Sequence, residues 1–289
     1  MSLFQRRPGL LPYLLLAPGL LFLLLFFALP LYYMARTSLE TGTLFTGYQF
    51  DWHFETYTDA IKNYHEQFIR SFVYAGAATL IALAIGYPLA YAIAFRGGKW
   101  KTALLLLVIL PFFVTYLIRT LSWETILADN GVVVDTLKAI GLLGDDGRIL
   151  ATSGAVIAGI TYNFLPFMIL PLYASLERVD PRMLEAGYDL YGTRRAVFTR
   201  VTLPLSMPGV VAGVLLTFIP AAGDFINAEL LGTPRQTMIG NVIQSRYLEL
   251  SDYATAAALS FMLMAVILVM VLAWAKIAGT ESLLGAEAR

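Results

Sequence analysis

A chain of 289 residues that is 58% hydrophobic and only 14% charged is too apolar for an ordinary soluble domain, where roughly a quarter of residues carry charge. It has no cysteine, which excludes disulfide scaffolds and thiolate metal sites and leaves the redox compartment open. Basic and acidic residues balance at 20 each, so an electrostatic argument must rest on where the charges lie.

Crossing a bilayer as helix takes about 20 predominantly apolar residues. Runs near 10–33, 71–95, 102–123, 151–176, 209–231 and 253–277 meet that length and predict an all-α, polytopic membrane protein with six transmembrane helices. The first run follows Arg6 and Arg7 as a signal peptide would. Its apolar region is too long for one and has no small-residue cleavage site, so it reads as a retained anchor. Residues 1–69 are expected to form this anchor and an external loop. Residues 70–289 are expected to form the core, carrying helices 2–6 and a cytoplasmic loop at 177–207. His53 and His65, in the first external loop among acids and aromatics, read as solvated surface residues rather than ligands.

Several of the later runs contain proline: Pro88, then Pro111, then Pro166 and Pro171, then Pro220. Each removes a backbone hydrogen bond and is expected to bend or break its helix. Such breaks persist in membranes where the freed carbonyls are buried in protein or line a cavity. Small residues (Gly76, Ala77 and Ala78; Gly209 and Gly213; Ala256, Ala257 and Ala258) allow close helix packing. Between the third and fourth runs, 132–143 is apolar apart from Asp135 and Lys138. It is too short to cross and reads as an interfacial or re-entrant helix.

Arg6, Arg7, Arg96, Lys99, Lys101, Arg178, Arg182, Arg194, Arg195, Arg200, Lys276 and Arg289 fall in connections on one side of a six-crossing chain. The positive-inside rule makes that side, and both termini, cytoplasmic. The opposite side holds Glu40, Asp51, Glu55, Asp59, Glu66, Asp129 and Asp252 among others. Such an acidic face would concentrate a cationic solute, or is simply what topology leaves once bases are drawn inward.

On the cytoplasmic side, Pro181 is placed to start a helix. Glu185, Tyr188 and Asp189 follow on adjoining turns, Gly187 and Gly192 permit close backbone approach, and Val197, Phe198 and Val201 make an apolar stripe. A short amphipathic helix with an acidic end fits a groove on another protein. The competing reading is an interfacial helix with snorkelling arginines.

In the fifth run, Asp224 lies just beyond Pro220 and Gly223, and Glu229 follows about one and a half turns later. An ionisable residue at membrane depth is costly and marks a substrate path by default. Glu124 beside Trp123, and Tyr162 beside Asn163, add carboxylate and aromatic groups that suit an ammonium ion. Alternatively, Asp224 and Glu229 pair with Arg119, Arg235 or Arg246 or sit at the outer interface, and Trp123, Tyr162 and Asn163 serve as aromatic belt and helix glue.

No phosphate-cradling GxxxxGK[ST] and no metal-spaced acid and histidine cluster occurs, so active transport would need a partner's energy or an ion gradient. Glu185-Ala186 and Leu203-Pro204 match the ends of the EAA loop of ABC importer permeases at that family's spacing. Gly187 stands where the third small residue is usually alanine. Tyr191 holds the usual glycine position, with Gly192 one place later. The stretches at 111–127, 163–186, 217–232 and 238–248 are similar to the permeases of spermidine/putrescine importers.

The resemblance covers most of the chain after about residue 70 and implies a type I ABC importer permease fold in a bacterial cytoplasmic (inner) membrane. It makes the chain a non-enzymatic subunit without its own cofactor, since ATP and Mg would be bound by partner ATPase subunits. It also implies two copies of that ATPase, a second homologous permease, an extracellular or periplasmic substrate-binding protein and the lipid bilayer as partners, and no nucleic acid. Glu185, Ala186, Gly187, Asp189 and Gly192 would couple to the ATPase. Asp224, Glu229, Glu124, Trp123, Tyr162 and Asn163 would line a polyamine path worked by alternating access. Ferric-iron and thiamine permeases share the fold and much of the loop. A stand-alone secondary transporter is the reading from another class, but its common signature of inverted repeats is not visible between the two halves.

Overall fold

A computed structural model describes residues 11–43, 46–144 and 146–278. Arg6, Arg7 and Arg289, used in the charge argument, lie outside them. The chain opens with α1 (Leu11–Leu23), a π-turn (Leu24–Ala28) and α2 (Leu29–Thr37). An antiparallel hairpin follows, β1 (Glu40–Thr43) against β2 (Gly47–Phe50), with Glu40 opposite Phe50. Then come α3 (Glu55–Arg96), α4 (Lys101–Ile109), α5 (Tyr116–Leu127), α6 (Val132–Ala139) and α7 (Ser153–Glu177). The chain continues with α8 (Pro181–Tyr191), α9 (Arg194–Val197), a second π-turn (Phe198–Thr202) and α10 (Leu203–Ala222). It closes with α11 (Ile226–Leu231), α12 (Ile239–Leu248) and α13 (Tyr253–Ala278).

Apart from the hairpin, the described fold is all-α and polytopic. Among the described residues, five helical spans are long and apolar enough to cross a membrane, and a sixth arises if the bent pair Gly98–Phe113 and Tyr116–Ala139 counts as one. That pair bears out the break expected at Pro111 in the third span, because the chain turns by 93° there. Pro111 opens a 3-10 turn, and Val114 and Thr115 then adopt extended backbone before α5 begins. Pro88, Pro166, Pro171 and Pro220, by contrast, lie inside helices that continue past them. The fifth span also differs from expectation. It begins at Arg194 and stops at Ala222, so 223–225 interrupts what reads as one apolar run to residue 231. Both π-turns end just before a Leu-Pro pair, Leu29-Pro30 and Leu203-Pro204. The missing proline N–H breaks the regular ladder there, and a wider turn absorbs the defect.

The described residues form two compact units. In the first, residues up to 63 group with 243–262. Tyr48 of β2 donates its hydroxyl hydrogen to the Ser251 carbonyl, and its ring lies 5.5 Å from that of Tyr253. Ser38 and Tyr57 share a 2.7 Å hydrogen bond. Along α1, Leu16, Leu20 and Leu23 are exposed, a surface suited to hydrocarbon rather than water.

The second unit holds 64–242 and continues from 263. Its most extensive pairing is α7 on α10, and glycine makes the approach possible. A Cβ on Gly209 would fall 2.5 Å from the Ser175 Cβ and 2.7 Å from the Pro171 carbonyl oxygen. A Cβ on Gly213 would lie 2.8 Å from the Met168 sulfur. Met168, Ile169, Leu172 and Leu176 are buried along that face with Val210. Membrane helices gain nothing from burying apolar surface away from lipid, so such close small-residue packing supplies much of their association.

Candidate functional site

The break between α10 and α11 is built by three neighbours. Gly223 caps α10, and the Asp224 amide still reaches the Ala221 carbonyl at 3.2 Å. The Asp224 carboxylate then accepts the Ile226 amide at 3.1 Å, supplying the acceptor that the next helix lacks at its start. The start of α12 lies against the break, since a Cβ on Gly240 would fall 2.5 Å from the Gly223 carbonyl oxygen. Asn241 donates to the Phe225 carbonyl at 2.8 Å and accepts from the Met238 amide at 3.0 Å. From α3, Ser71 accepts the Ile239 amide at 2.8 Å and Arg70 donates to the Thr237 carbonyl at 2.9 Å. The non-helical backbone of the break thus finds its partners within protein.

Around Asp224, which is 7% exposed, a buried polar cluster joins α5, α7 and α11. The Asn227 amide donates to the second carboxylate oxygen of Asp224 at 2.6 Å and to the Tyr116 hydroxyl at 2.5 Å. Asn163 of α7 donates to the Asn227 carbonyl oxygen at 3.2 Å and to the Thr120 hydroxyl at 3.1 Å. Gly159 lets α11 come this close, because a Cβ there would fall 2.5 Å from the Asn227 Oδ1. Arg119 completes the cluster, stacked over Phe112 at 5.0 Å and Tyr116 at 5.6 Å. Two hydrogen-bond donors on the Asp224 carboxylate are the Asn227 side-chain amide and the Ile226 backbone amide, and both are neutral.

The expected path residues therefore divide. Asp224 and Asn163 meet in the cluster. Trp123 and Tyr162 pair edge to face with centroids 5.3 Å apart, both half-buried, and Glu124 is half-buried beside Trp123. Glu229 is exposed on α11, away from the buried face that carries Asn227 and Ala228. Sequence reasoning missed Asn227 and Thr120 altogether. The available signal was spacing: Thr120 stands four residues after Tyr116 on one face of α5, and Asn227 three after Asp224 across the start of α11.

A second candidate site is the turn after α7. Asp180 accepts the Arg182 amide at 2.9 Å and Pro181 is the first residue of α8, a strong start signal. Gly192 ends α8 in the left-handed region at φ 68°, and Thr193 caps α9 by accepting the Ala196 amide at 3.3 Å. Gly187 is buried against Val197 and Val201, so its part is to seat α8 on the helix that follows. Glu185, Ala186 and Asp189 are exposed. The Arg200 guanidinium lies 4.9 Å from the Tyr191 ring centroid, and the Phe198 ring packs 5.7 Å from Tyr87 and 6.3 Å from Tyr91 of α3. A groove of about 950 Å³ lies between α3 and α8, with Phe95, Arg96, Glu185, Tyr188 and Arg194 on its walls.

Residues 82–276 match the family described as binding-protein-dependent transport system inner membrane component. The chain is 41% identical over 214 residues to the spermidine/putrescine transport system permease protein PotB of Haemophilus influenzae, covering 74% of this chain and 75% of that protein. It is 38% identical over 211 residues to the Escherichia coli PotB, covering 73% and 77%. It is 35% identical over 213 residues to the Escherichia coli inner membrane ABC transporter permease protein YdcU, covering 70% and 67%. The fold is that of a chain in a bacterial ABC transporter involved in the import of the acidic polysaccharide alginate, with a TM-score of 0.71 at 22% identity over 95% of this chain and 96% of that one. The chain belongs to the binding-protein-dependent transport system inner membrane component family, as a multi-pass, non-catalytic permease subunit of an ABC importer.

Proposed function

We propose that this member of the family carries polyamines of the spermidine and putrescine class inward by alternating access. It works beside a second homologous permease, receives solute from an extracellular binding protein, and is driven by two cytoplasmic ATPase subunits seated against α8. Positive-inside charge supports a cytoplasmic α8 and cytoplasmic termini. The polyamine reading draws on the named cargo of the relatives. The observation that carries it is Asp224, a carboxylate buried at a helix break, held by neutral donors and joined through Asn227 to the hydroxyl of Tyr116. Carboxylate and aromatic face together are what a flexible chain of ammonium groups requires.

The test is uptake of radiolabelled putrescine and spermidine by the assembled importer carrying Asp224→Asn, which keeps the hydrogen-bonding shape and removes the charge. Uptake at low solute should fall at least about tenfold, the scale of one lost charge-assisted contact. Normal uptake at both low and saturating solute would remove Asp224 from the path.

A further inference from the structure

Arg119 has an unusual place for a cation. It is 8% exposed, and neither Nε nor Nη1 has an acceptor among the described residues. A buried charge normally finds a carboxylate or carbonyl, because desolvation without compensation is expensive. The buried carboxylate of the same cluster is engaged elsewhere, since Asp224 takes the Ile226 amide and the Asn227 side chain. What compensates the guanidinium instead is a pair of aromatic faces, Phe112 at 5.0 Å and Tyr116 at 5.6 Å. Tyr116 belongs to both halves of the arrangement: its ring carries Arg119 and its hydroxyl accepts from Asn227 beside Asp224.

We infer that Arg119 is a tethered competitor for the solute, holding the cation–π seat of Phe112 and Tyr116 until an ammonium group that also engages Asp224 displaces it. This rests on the cationic cargo proposed above. The two unclaimed donors make the seated guanidinium cheaper to dislodge than a hydrogen-bonded one. A small monovalent cation gains only one contact on arrival and leaves Arg119 in place. A chain bearing several ammonium groups gains the carboxylate and the rings together, so Arg119 sets a threshold that favours polyvalent cations.

The test is equilibrium binding of radiolabelled putrescine and methylammonium to the purified complex of both permeases and the ATPase in nanodiscs, without the binding protein. Arg119→Met keeps an apolar side chain of comparable reach and empties the seat of charge. It should bind putrescine roughly tenfold tighter than the unaltered complex, on the scale of one desolvated cation–π contact, and should bind methylammonium measurably. Arg119→Lys should stay near the unaltered value, because charge and reach are retained. Arg119→Gln, followed with the thermal melt of each variant, separates loss of the seat from loss of the fold. Unchanged or weaker putrescine binding by folded Arg119→Met and Arg119→Gln overturns the competitor role, as does no measurable binding by either at millimolar putrescine. If tighter binding by Arg119→Met survives the added Asp224→Asn change, the competitor role stands and the part given to Asp224 fails.

Discussion

Asn227 organises the candidate path as much as Asp224 does. Its amide engages Asp224 and Tyr116, and its carbonyl oxygen engages Asn163. Removing it strands several buried polar groups at once, and each stranded group costs about 1–3 kcal/mol. Asn227→Ala should therefore lower stability by about 2–4 kcal/mol and drop the melting temperature of the detergent-solubilised complex by several degrees. Glu229→Gln, an exposed change on the same short helix, should leave the melt where it was. Equal melts for the two variants would show that the network holds nothing together. The contrast lies at the level of single side chains, because Asn227→Ala raises the helical propensity of α11, so a lower melt can come only from the lost side-chain partners.

Helix pairing carries a different kind of sensitivity. At Gly209 an added Cβ meets the Pro171 carbonyl oxygen at 2.7 Å, and backbone cannot rotate out of the way as a side chain can. Gly209→Val should cost about 1–3 kcal/mol through overpacking and reduce the yield of folded complex in size-exclusion chromatography. Gly76→Val, at a site where a Cβ meets nothing within 4 Å, should not. Small residues on apolar runs made this packing legible in the sequence, as did the positions of most spans. One interruption was not legible in the same way. Hydropathy cannot register the stop at Ala222, because Ile226, Leu230 and Leu231 continue the apolar run beyond it. Proline marked the turn at Pro111, but Pro88, Pro166, Pro171 and Pro220 sit in helices that continue past them. Neighbouring helices in a bundle can satisfy the carbonyl a proline frees, and that compensation is tertiary. The same holds for the site. Asp224 shows itself as a lone acid in an apolar stretch. Asn227, Thr120 and Arg119 acquire meaning only when α5, α7 and α11 bring them together.

Across the second unit as a whole, one continuous helix joins the two candidate sites. From Arg194 to Ala222 it runs 29 residues, roughly 43 Å at 1.5 Å per residue. It begins one residue after the turn that ends α8 and stops two residues before Asp224. In the proposed coupling, a displacement of α8 would travel through the turn at Gly192 and Thr193 and along this helical rod to the break that positions the carboxylate. Glu185 and Asp189 present carboxylates on the exposed face of α8, and Gly187 fixes that helix to Val197 and Val201 on the rod itself. Gly192 sits at φ 68°, where a β-branched residue costs about 1–2 kcal/mol or more. Glu185→Ala combined with Gly192→Val should leave membrane insertion intact, because neither residue lies in an apolar core. It should cut solute-stimulated ATP hydrolysis by the assembled importer about tenfold or more while the ATPase subunits retain their basal rate. Asp224→Asn should do the reverse, leaving the loop's grip on the ATPase in place while uptake fails. Measuring hydrolysis and uptake on the same proteoliposomes separates the two defects. If the Glu185 and Gly192 variant hydrolyses ATP in response to solute as the unaltered importer does, the α8 turn is not the mechanical input, and the rod has no driver at that end.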